Sequence, residues 1–173
     1  MCKNNYLNTI KEFLNEQPNK SYTFGEEVYH QLTIDGGYDV GELLTISLTP
    51  ADTINLTYKA LWGDTTPKSV IVDNLSHEMC WRLSAEIRAL TSTDEVDIIY
   101  NTFVARSADF EDISTTNGVV EISISWGDWK HSHMFADNLM KKLGYVKEDE
   151  ELTEEDGSDC YSSIHYYKKA DNV

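Results

Sequence analysis

The spacing of apolar residues changes from two to about four within residues 119–145, and this change constrains the fold more than any other feature of the sequence. Apolar and mostly polar residues first alternate, as in a strand with one buried face; the apolar set is Val120, Ile122, Ile124 and Trp126. Apolar residues then lie four apart, as on one stripe of a helix; this set is Phe135, Leu139 and Leu143. We therefore predict a strand followed by a helix, with Asp128 as helix N-cap and Gly144 as a left-handed C-terminal stop.

Two helices are predicted at the start of the chain. Apolar residues recur at helical spacing within residues 5–17, and Pro18 ends that run. A second helix is predicted from Thr23, because Thr23 and Glu26 match the capping-box pattern. The pair has the order of a helix-turn-helix unit, but its second helix carries Glu26 and Glu27 and no Lys or Arg. Such a helix is a poor reader of DNA grooves, so a structural or protein-binding role is predicted for the pair.

A β-meander with a packed helix is predicted next. Apolar residues again occur at every second position in residues 44–48 and 54–62, which predicts a β-hairpin. Residues 68–72 are a candidate third strand. Asp73 or Asn74 then provides the N-cap of a helix. Its apolar stripe, expected to face the meander, is Leu75, Met79, Leu83, Ile87 and Leu90.

The rest of the chain is predicted to contain one more helix and then a strand-helix-strand unit. A capping box at Ser92 predicts a helix over residues 92–106, and residues 107–118 form a polar loop and the best internal boundary. In residues 147–159 eight of thirteen side chains are acidic, which predicts an exposed loop. A last strand over residues 160–169 is expected to pair with the Val119 strand.

These patterns together predict the α+β class. The predicted order is an N-terminal helix pair, an antiparallel β-meander with a packed helix, and a C-terminal strand-helix-strand unit. Residues 1–106 and residues 119–173 form the two parts, with residues 107–118 as loop or boundary between them. A single domain is the alternative, because the chain of 173 residues is short enough for one core.

Acidity is the strongest property of the whole sequence. Fourteen Lys and Arg against thirty Asp and Glu give a net charge of −16, and residues 91–173 account for −11 of it. This charge repels phosphate backbones, so direct binding of nucleic acid or of an anionic membrane is not expected. It attracts basic proteins, including those that handle nucleic acid, although acidity can also serve solubility alone.

The expected compartment is the cytoplasm. The N-terminus has no apolar segment of the signal-peptide kind, and no apolar run of about eighteen residues is present. Cys2, Cys80 and Cys160 are odd in number and far apart, which is typical of reduced thiols. Cys80 is predicted to be a small buried group, and His77 a surface residue.

The densest set of candidate metal ligands lies around the turn at residue 128. Imidazole, carboxylate and thiolate groups suit zinc or another divalent metal; the candidates are Asp128, His131, His133, Cys160 and His165. The last two approach the others if the last strand pairs with the Val119 strand. On a helix, His131 and His133 lie about 200° apart, so both can bind one ion only if that turn is not helical. His131 also lies one turn before Phe135 on the apolar stripe. We therefore expect these to be packing residues and no cofactor to be required, with a zinc or other divalent-metal site as the alternative.

Other reaction-specific patterns are missing from the sequence. Aligning Gly157 with the glycine of an EF-hand loop puts Leu152 and Ser163 at positions that need carboxylates. No phosphate-binding loop, dinucleotide fingerprint or nucleophile elbow is present. An enzyme of a familiar class is therefore disfavoured, and a metal-dependent enzyme built on the ligands above is the alternative to a binding protein.

Two segments, residues 125–133 and 153–161, resemble small uncharacterised acidic accessory proteins of phages and mobile elements of gut bacteria. The resemblance covers about the last third of the chain and implies no activity and no catalytic residue. It implies the setting of a mobile element, in which small acidic proteins often act as inhibitors that mimic DNA.

The sequence thus favours a non-catalytic accessory or inhibitory protein that binds a basic, nucleic-acid-handling partner such as a defence nuclease. One aromatic anchor and the acidic run are the expected contact residues: Trp129, Glu148, Asp149, Glu150, Glu151, Glu154, Glu155, Asp156 and Asp159. A structural or virion-associated component is a third hypothesis, which self-assembly would test.

Overall fold

The computed structural model describes residues 2–34, 37–106, 110, 112–124, 129–154 and 161–171. The chain divides into two compact units: unit 1 is Met1–Thr91 with Val104–Ser107, and unit 2 is Ser92–Phe103 with Ala108–Val173. Each unit has a four-stranded antiparallel sheet and a hydrophobic core. The predicted α+β class is confirmed. Within the described ranges, no helix combines the length and apolar character needed to cross a membrane.

In unit 1 the four strands of the sheet follow one helix along the chain and precede another. Its elements are α1 (Lys3–Glu16), β1 (Ser21–Ile34), β2 (Gly37–Leu48), β3 (Ile54–Ala60), β4 (Lys68–Ile71) and α2 (His77–Thr91). Each strand pairs antiparallel with the next. The first predicted helix, the meander and the packed helix are therefore confirmed as α1, β2 to β4 and α2.

Helix α2 begins later than predicted. The N-cap is Ser76, whose hydroxyl accepts a hydrogen bond from the Met79 N–H at 3.2 Å. Asp73 instead accepts from the Ile54 N–H at 3.2 Å and so ties the segment before α2 to β3. The predicted apolar stripe is buried except for Leu90, which is 44% exposed.

The two single-residue predictions on α2 are confirmed. Cys80 is fully buried, and burial raises the pKa of its thiol. His77 is exposed, and its ring packs edge-on against the ring of Tyr6, with centroids 5.2 Å apart.

The second helix predicted from Thr23 is wrong, because this segment is β1. Thr23 pairs with Thr45 and Val28 with Leu43, and the register shifts between the two pairs. The segment is rich in β-branched and aromatic residues, which suit a strand. Pairing with β2 satisfies backbone groups along the segment, whereas the capping box at Thr23 satisfies only one helix end.

The strands in the sheet of unit 2 are out of chain order, and the described residues of this unit also include two helices. Its elements are α3 (Glu95–Ala105, of which residues up to 103 belong to unit 2), β5 (Asp112–Thr116), β6 (Val119–Ile124), α4 (Trp129–Lys142), β7 (Tyr145–Glu154) and β8 (Tyr161–Lys169). The sheet order is β5-β6-β8-β7. As predicted, the last strand pairs with the Val119 strand, with Ile122 opposite His165. The core combines helix and sheet residues, among them Ile99, Phe103, Ile122, Met140 and Tyr167.

Two segments predicted as loops are partly strands. Asp112–Thr116 is β5, and the tight turn to β6 uses Asn117 and Gly118 at positive φ, 53° and 78°. The acidic run forms β7 as far as Glu154, while residues 155–160 lie outside the described residues. Among the described strands β7 is the last of its sheet, and charged side chains are typical of such edge strands. The chain passes from one unit to the other after Thr91, after Phe103 and after Ser107, which places most of α3 in unit 2.

Candidate functional site

The sheet of unit 2 has one face in the core and one face outside it. Along β6 the even-numbered residues are buried and the odd-numbered residues half-buried, while along β8 residues 163, 165 and 167 are buried. Residues opposite one another in the register share a face. We call the second face the open face; its residues on β6, β7 and β8 are Val119, Glu121, Ser123, Val146, Asp149, Glu151, Ser162, Ile164, Tyr166 and Lys168. None of them belongs to the core of unit 2.

Three acidic residues surround Tyr166 on the open face. Glu121 of β6 and Asp149 of β7 both lie opposite Tyr166, one on each side. Glu151 lies opposite Ile164, two positions along β8. Because neighbouring strands are about 4.8 Å apart, Glu121 and Asp149 are separated by about 10 Å across the sheet. We call Glu121, Asp149 and Glu151 the open-face carboxylates.

The protonation of Tyr166 reflects this arrangement. Burial of the ring, and then the negative charges of the three open-face carboxylates, raise the pKa of its phenol above the ordinary value. Asp149 and Glu151 are exposed, and Glu121 is half-buried. Lys168, on the same face, lies 3.8 Å from Glu148 in an exposed ion pair. The open face therefore concentrates negative charge around one neutral aromatic side chain.

The opposite face buries a group with the composition of a hydrolase triad. The Ser163 hydroxyl lies 2.7 Å from His165 Nε2, and His165 Nδ1 lies 3.9 Å from Glu150 Oε2. Ser163 and His165 are only 1% and 0% exposed, so this hydroxyl is closed to solvent. The pair instead has the features of a hydrogen-bonded polar contact within the core.

A cavity lies next to this group, between α4 and the start of β7. Lys147 Nζ donates to Glu150 Oε2 at 2.7 Å and lies 3.4 Å from Asp137 Oδ1. The Tyr167 hydroxyl donates to the same Asp137 oxygen at 2.6 Å, and burial followed by this bond raises the pKa of Tyr167. The cavity has a volume of about 350 Å³ and is lined by Asp137, Lys141, Tyr145, Val146, Lys147 and Tyr167. This volume is at the lower end of the range of ligand pockets.

Glu95 ties the start of α3 to the sheet. It accepts hydrogen bonds from Tyr145 and Lys169, and the Lys169 ammonium lies 4.7 Å from the centroid of the Tyr145 ring. The bonds from Lys169 and then from Tyr145 lower the pKa of Glu95. Burial, followed by the bond to Glu95, raises the pKa of Tyr145 to about 12. Glu95 is therefore held as a carboxylate and Tyr145 as a neutral phenol.

The candidate metal ligands are only partly placed. His165 is buried in β8, while Asp128 and Cys160 lie outside the described residues. His131 and His133 lie at helical backbone positions of α4, so the non-helical turn that one shared ion requires is not present. In the parts of the chain that the structure describes, no three His, Cys, Asp or Glu residues come together as a metal site.

The predicted contact residues fall on two faces of β7. Asp149 and Glu151 are exposed on the open face, and Glu148 is exposed at the register shift between Lys147 and Asp149. Glu150 lies on the core side, where it binds Lys147. The structure describes the backbone of Trp129 and Glu154 but not their side chains. Glu155, Asp156 and Asp159 lie outside the described residues.

Sequence reasoning missed Glu121 and Tyr166 as members of this site. Both lie in segments of the sequence where the residues of two faces alternate, and Glu121 is on the mostly polar side of the Val119 strand. The missing information was the order β6-β8-β7, which places Tyr166 between Glu121 and Asp149. The alternation of apolar and polar residues along a strand shows on which face of the sheet a residue lies. It does not show which residues of other strands lie beside it.

Comparison of the chain with protein-family models, with curated proteins and with solved structures finds no match in any of the three.

Proposed function

We propose that this chain is a non-catalytic acidic binding protein whose open face in unit 2 engages a basic, nucleic-acid-handling protein. The observation that carries the proposal is the convergence of three carboxylates, from two different strands, on Tyr166. Like charges brought together in this way repel one another, and a basic partner relieves that repulsion.

The chemistry of the open face fits a protein partner. Tyrosine is enriched among residues that dominate binding energy, because its ring supplies apolar area and its hydroxyl a hydrogen bond. The surrounding carboxylates attract Lys and Arg side chains and speed encounter with a basic surface. The net charge of −16 extends this attraction beyond the contact itself.

The proposed consequence is inhibition by competition with nucleic acid. A protein that handles DNA presents a basic surface built for closely spaced phosphates, about one negative charge per 1.7 Å of duplex axis. A sheet face with several carboxylates occupies such a surface without offering a substrate. In a phage or mobile element, a defence nuclease of the host is the kind of target that this mode of action suits.

Capture from a bacterial lysate tests the proposal with a matched pair of variants. The open-face variant is Glu121→Gln, Asp149→Asn and Glu151→Gln. The control variant makes the same charge change at three exposed acidic residues elsewhere, Glu12→Gln, Glu16→Gln and Asp97→Asn. The lysate is treated with nuclease, and the columns are washed at low and then high salt.

We expect the wild-type chain and the control variant to retain the same basic protein at low salt and to release it at high salt. The open-face variant is expected to retain several-fold less. Purified partner is then assayed for nucleic-acid binding with and without the chain. Equal retention by all three proteins, or binding that does not change with salt, would refute the role of the open face.

A further inference from the structure

Strand β7 lies at the edge of the sheet of unit 2. In the described part of the chain β8 is the one strand that pairs with it, so no second strand lies along its other side there. Within β7 the Glu150 N–H donates to the Asp149 carboxylate at 2.8 Å. It spans ten residues, Tyr145–Glu154, and is thus about twice as long as an average strand. A long strand edge of this kind is a template to which an extended segment of another protein can add.

Two different surroundings alternate along this edge. Asp149 and Glu151 are exposed on the open face. On the core side lie Leu152, which is 60% exposed, and the cavity of about 350 Å³ beside Lys147. An added strand directs successive side chains to these two faces in turn. It therefore meets carboxylates with one set of side chains, and an apolar side chain and a cavity with the other.

We propose that the basic partner contributes an extended segment that adds to β7, with Lys or Arg on the open-face side and apolar side chains on the side of Leu152 and the cavity. This inference rests on the proposed function and adds the conformation and residue pattern of the partner's segment. Charge selects the occupant, because a second copy of β7 brings its own acidic residues into cross-strand positions and is repelled.

A set of synthetic peptides tests the inference on the full chain. The probe alternates Lys and Val, is blocked at both ends and is about as long as residues 146–152. A second peptide has the same composition with its Lys residues grouped. Two further peptides have the sequence of the probe and carry backbone N-methyl groups. One is methylated at its Lys residues and the other at its Val residues. A strand that pairs along one side uses every second N–H, so only one methylated copy loses its hydrogen bonds to β7.

We expect the alternating peptide to bind and to shift the backbone amide NMR signals of residues 146–152. The grouped peptide and one methylated copy are expected to bind at least about tenfold more weakly, while the other methylated copy keeps its affinity. Neutralising Asp149 and Glu151 together as Asn and Gln should weaken binding several-fold, whereas the control pair Glu12→Gln and Glu16→Gln should leave it unchanged.

Other outcomes separate this inference from the proposed function. If the grouped peptide and both methylated copies bind as tightly as the probe, in a salt-sensitive manner, the carboxylates bind basic chains without strand addition. The inference is then overturned and the proposed function stands. If a peptide of alternating Thr and Val binds as tightly as the Lys peptide, the basic pattern is overturned together with the proposed function. If no peptide binds although lysate capture retains a basic protein, only the strand addition is overturned.

Discussion

Glu121 and Asp149 lie on opposite sides of the same residue, Tyr166, although they come from strands on either side of α4 in the chain. The strand that separates them, β8, is the last in the sequence. Folding therefore brings together carboxylates that repel one another around a half-buried phenol. The repulsion is partly screened by water, because Asp149 and Glu151 are exposed.

The raised pKa of Tyr166 offers a test that needs no partner. In the open-face variant, Glu121→Gln with Asp149→Asn and Glu151→Gln, the pKa of Tyr166 is expected to fall toward the ordinary value of about 10, because the negative charges that oppose phenolate formation are gone. Titration of ¹³C-labelled tyrosine followed by NMR, with Tyr166→Phe to assign the signal, measures the shift. The control variant Glu12→Gln, Glu16→Gln and Asp97→Asn should titrate like the wild type, and an unchanged pKa in the open-face variant would contradict the arrangement.

The buried contact between Ser163 and His165 should contribute to the stability of unit 2. Ser163→Ala removes the hydroxyl that lies 2.7 Å from His165 Nε2 and leaves a ring nitrogen in the core without this partner. We expect the free energy of unfolding to fall by about 1–3 kcal/mol. Denaturant unfolding monitored on unit 2 measures it. Ser162→Ala, on the open face of the same strand, is the matched control; equal effects of the two substitutions would show that the contact adds nothing.

The ion pair at Glu95 should make stability depend on pH in the acidic range. The pKa of Glu95 is lowered in the folded chain, so the folded state binds this proton less readily than the unfolded state. Its contribution is fully present above the unfolded pKa of about 4.3 and is lost as pH falls through the folded pKa. At pH 7 we expect Glu95→Gln to cost less than about 1 kcal/mol, because the side chain is 50% exposed. The difference between wild type and variant should shrink as the pH falls below about 4.3. A difference that is constant with pH would contradict the assignment.

Gly144 ends α4 in a conformation that disfavours other residues. Its φ is +82°, and an added Cβ would meet nothing within 4 Å, so the cost of Gly144→Ala is backbone strain alone. We expect a loss of about 1 kcal/mol. Gly25→Ala in β1 is the control, because Gly25 also has open space around it and no positive φ. Thermal unfolding compares the two, and equal midpoints would contradict the strained C-terminal stop.

The predicted elements were correct where the apolar period was long and local signals agreed with it. Helices α1 and α4 and strands β3 and β6 follow such patterns, and Gly144 adopts the left-handed conformation predicted for it. The prediction failed at Thr23, where a capping box competed with a β-rich composition. It also failed at β7, because acidic residues look like a loop unless the position at a sheet edge is known.

The sequence by itself determined the α+β class, the acidity and the face to which most strand residues belong, since these depend on composition and on spacing along the chain. Only the tertiary structure decided that β8 enters the sheet between β6 and β7, and that Glu121, Asp149 and Glu151 therefore surround Tyr166. It also decided that Glu150, within the same acidic run, faces the core and binds Lys147. Strand order and register depend on contacts between residues far apart in the chain. The spacing of apolar residues within one segment does not specify which strands pair with it.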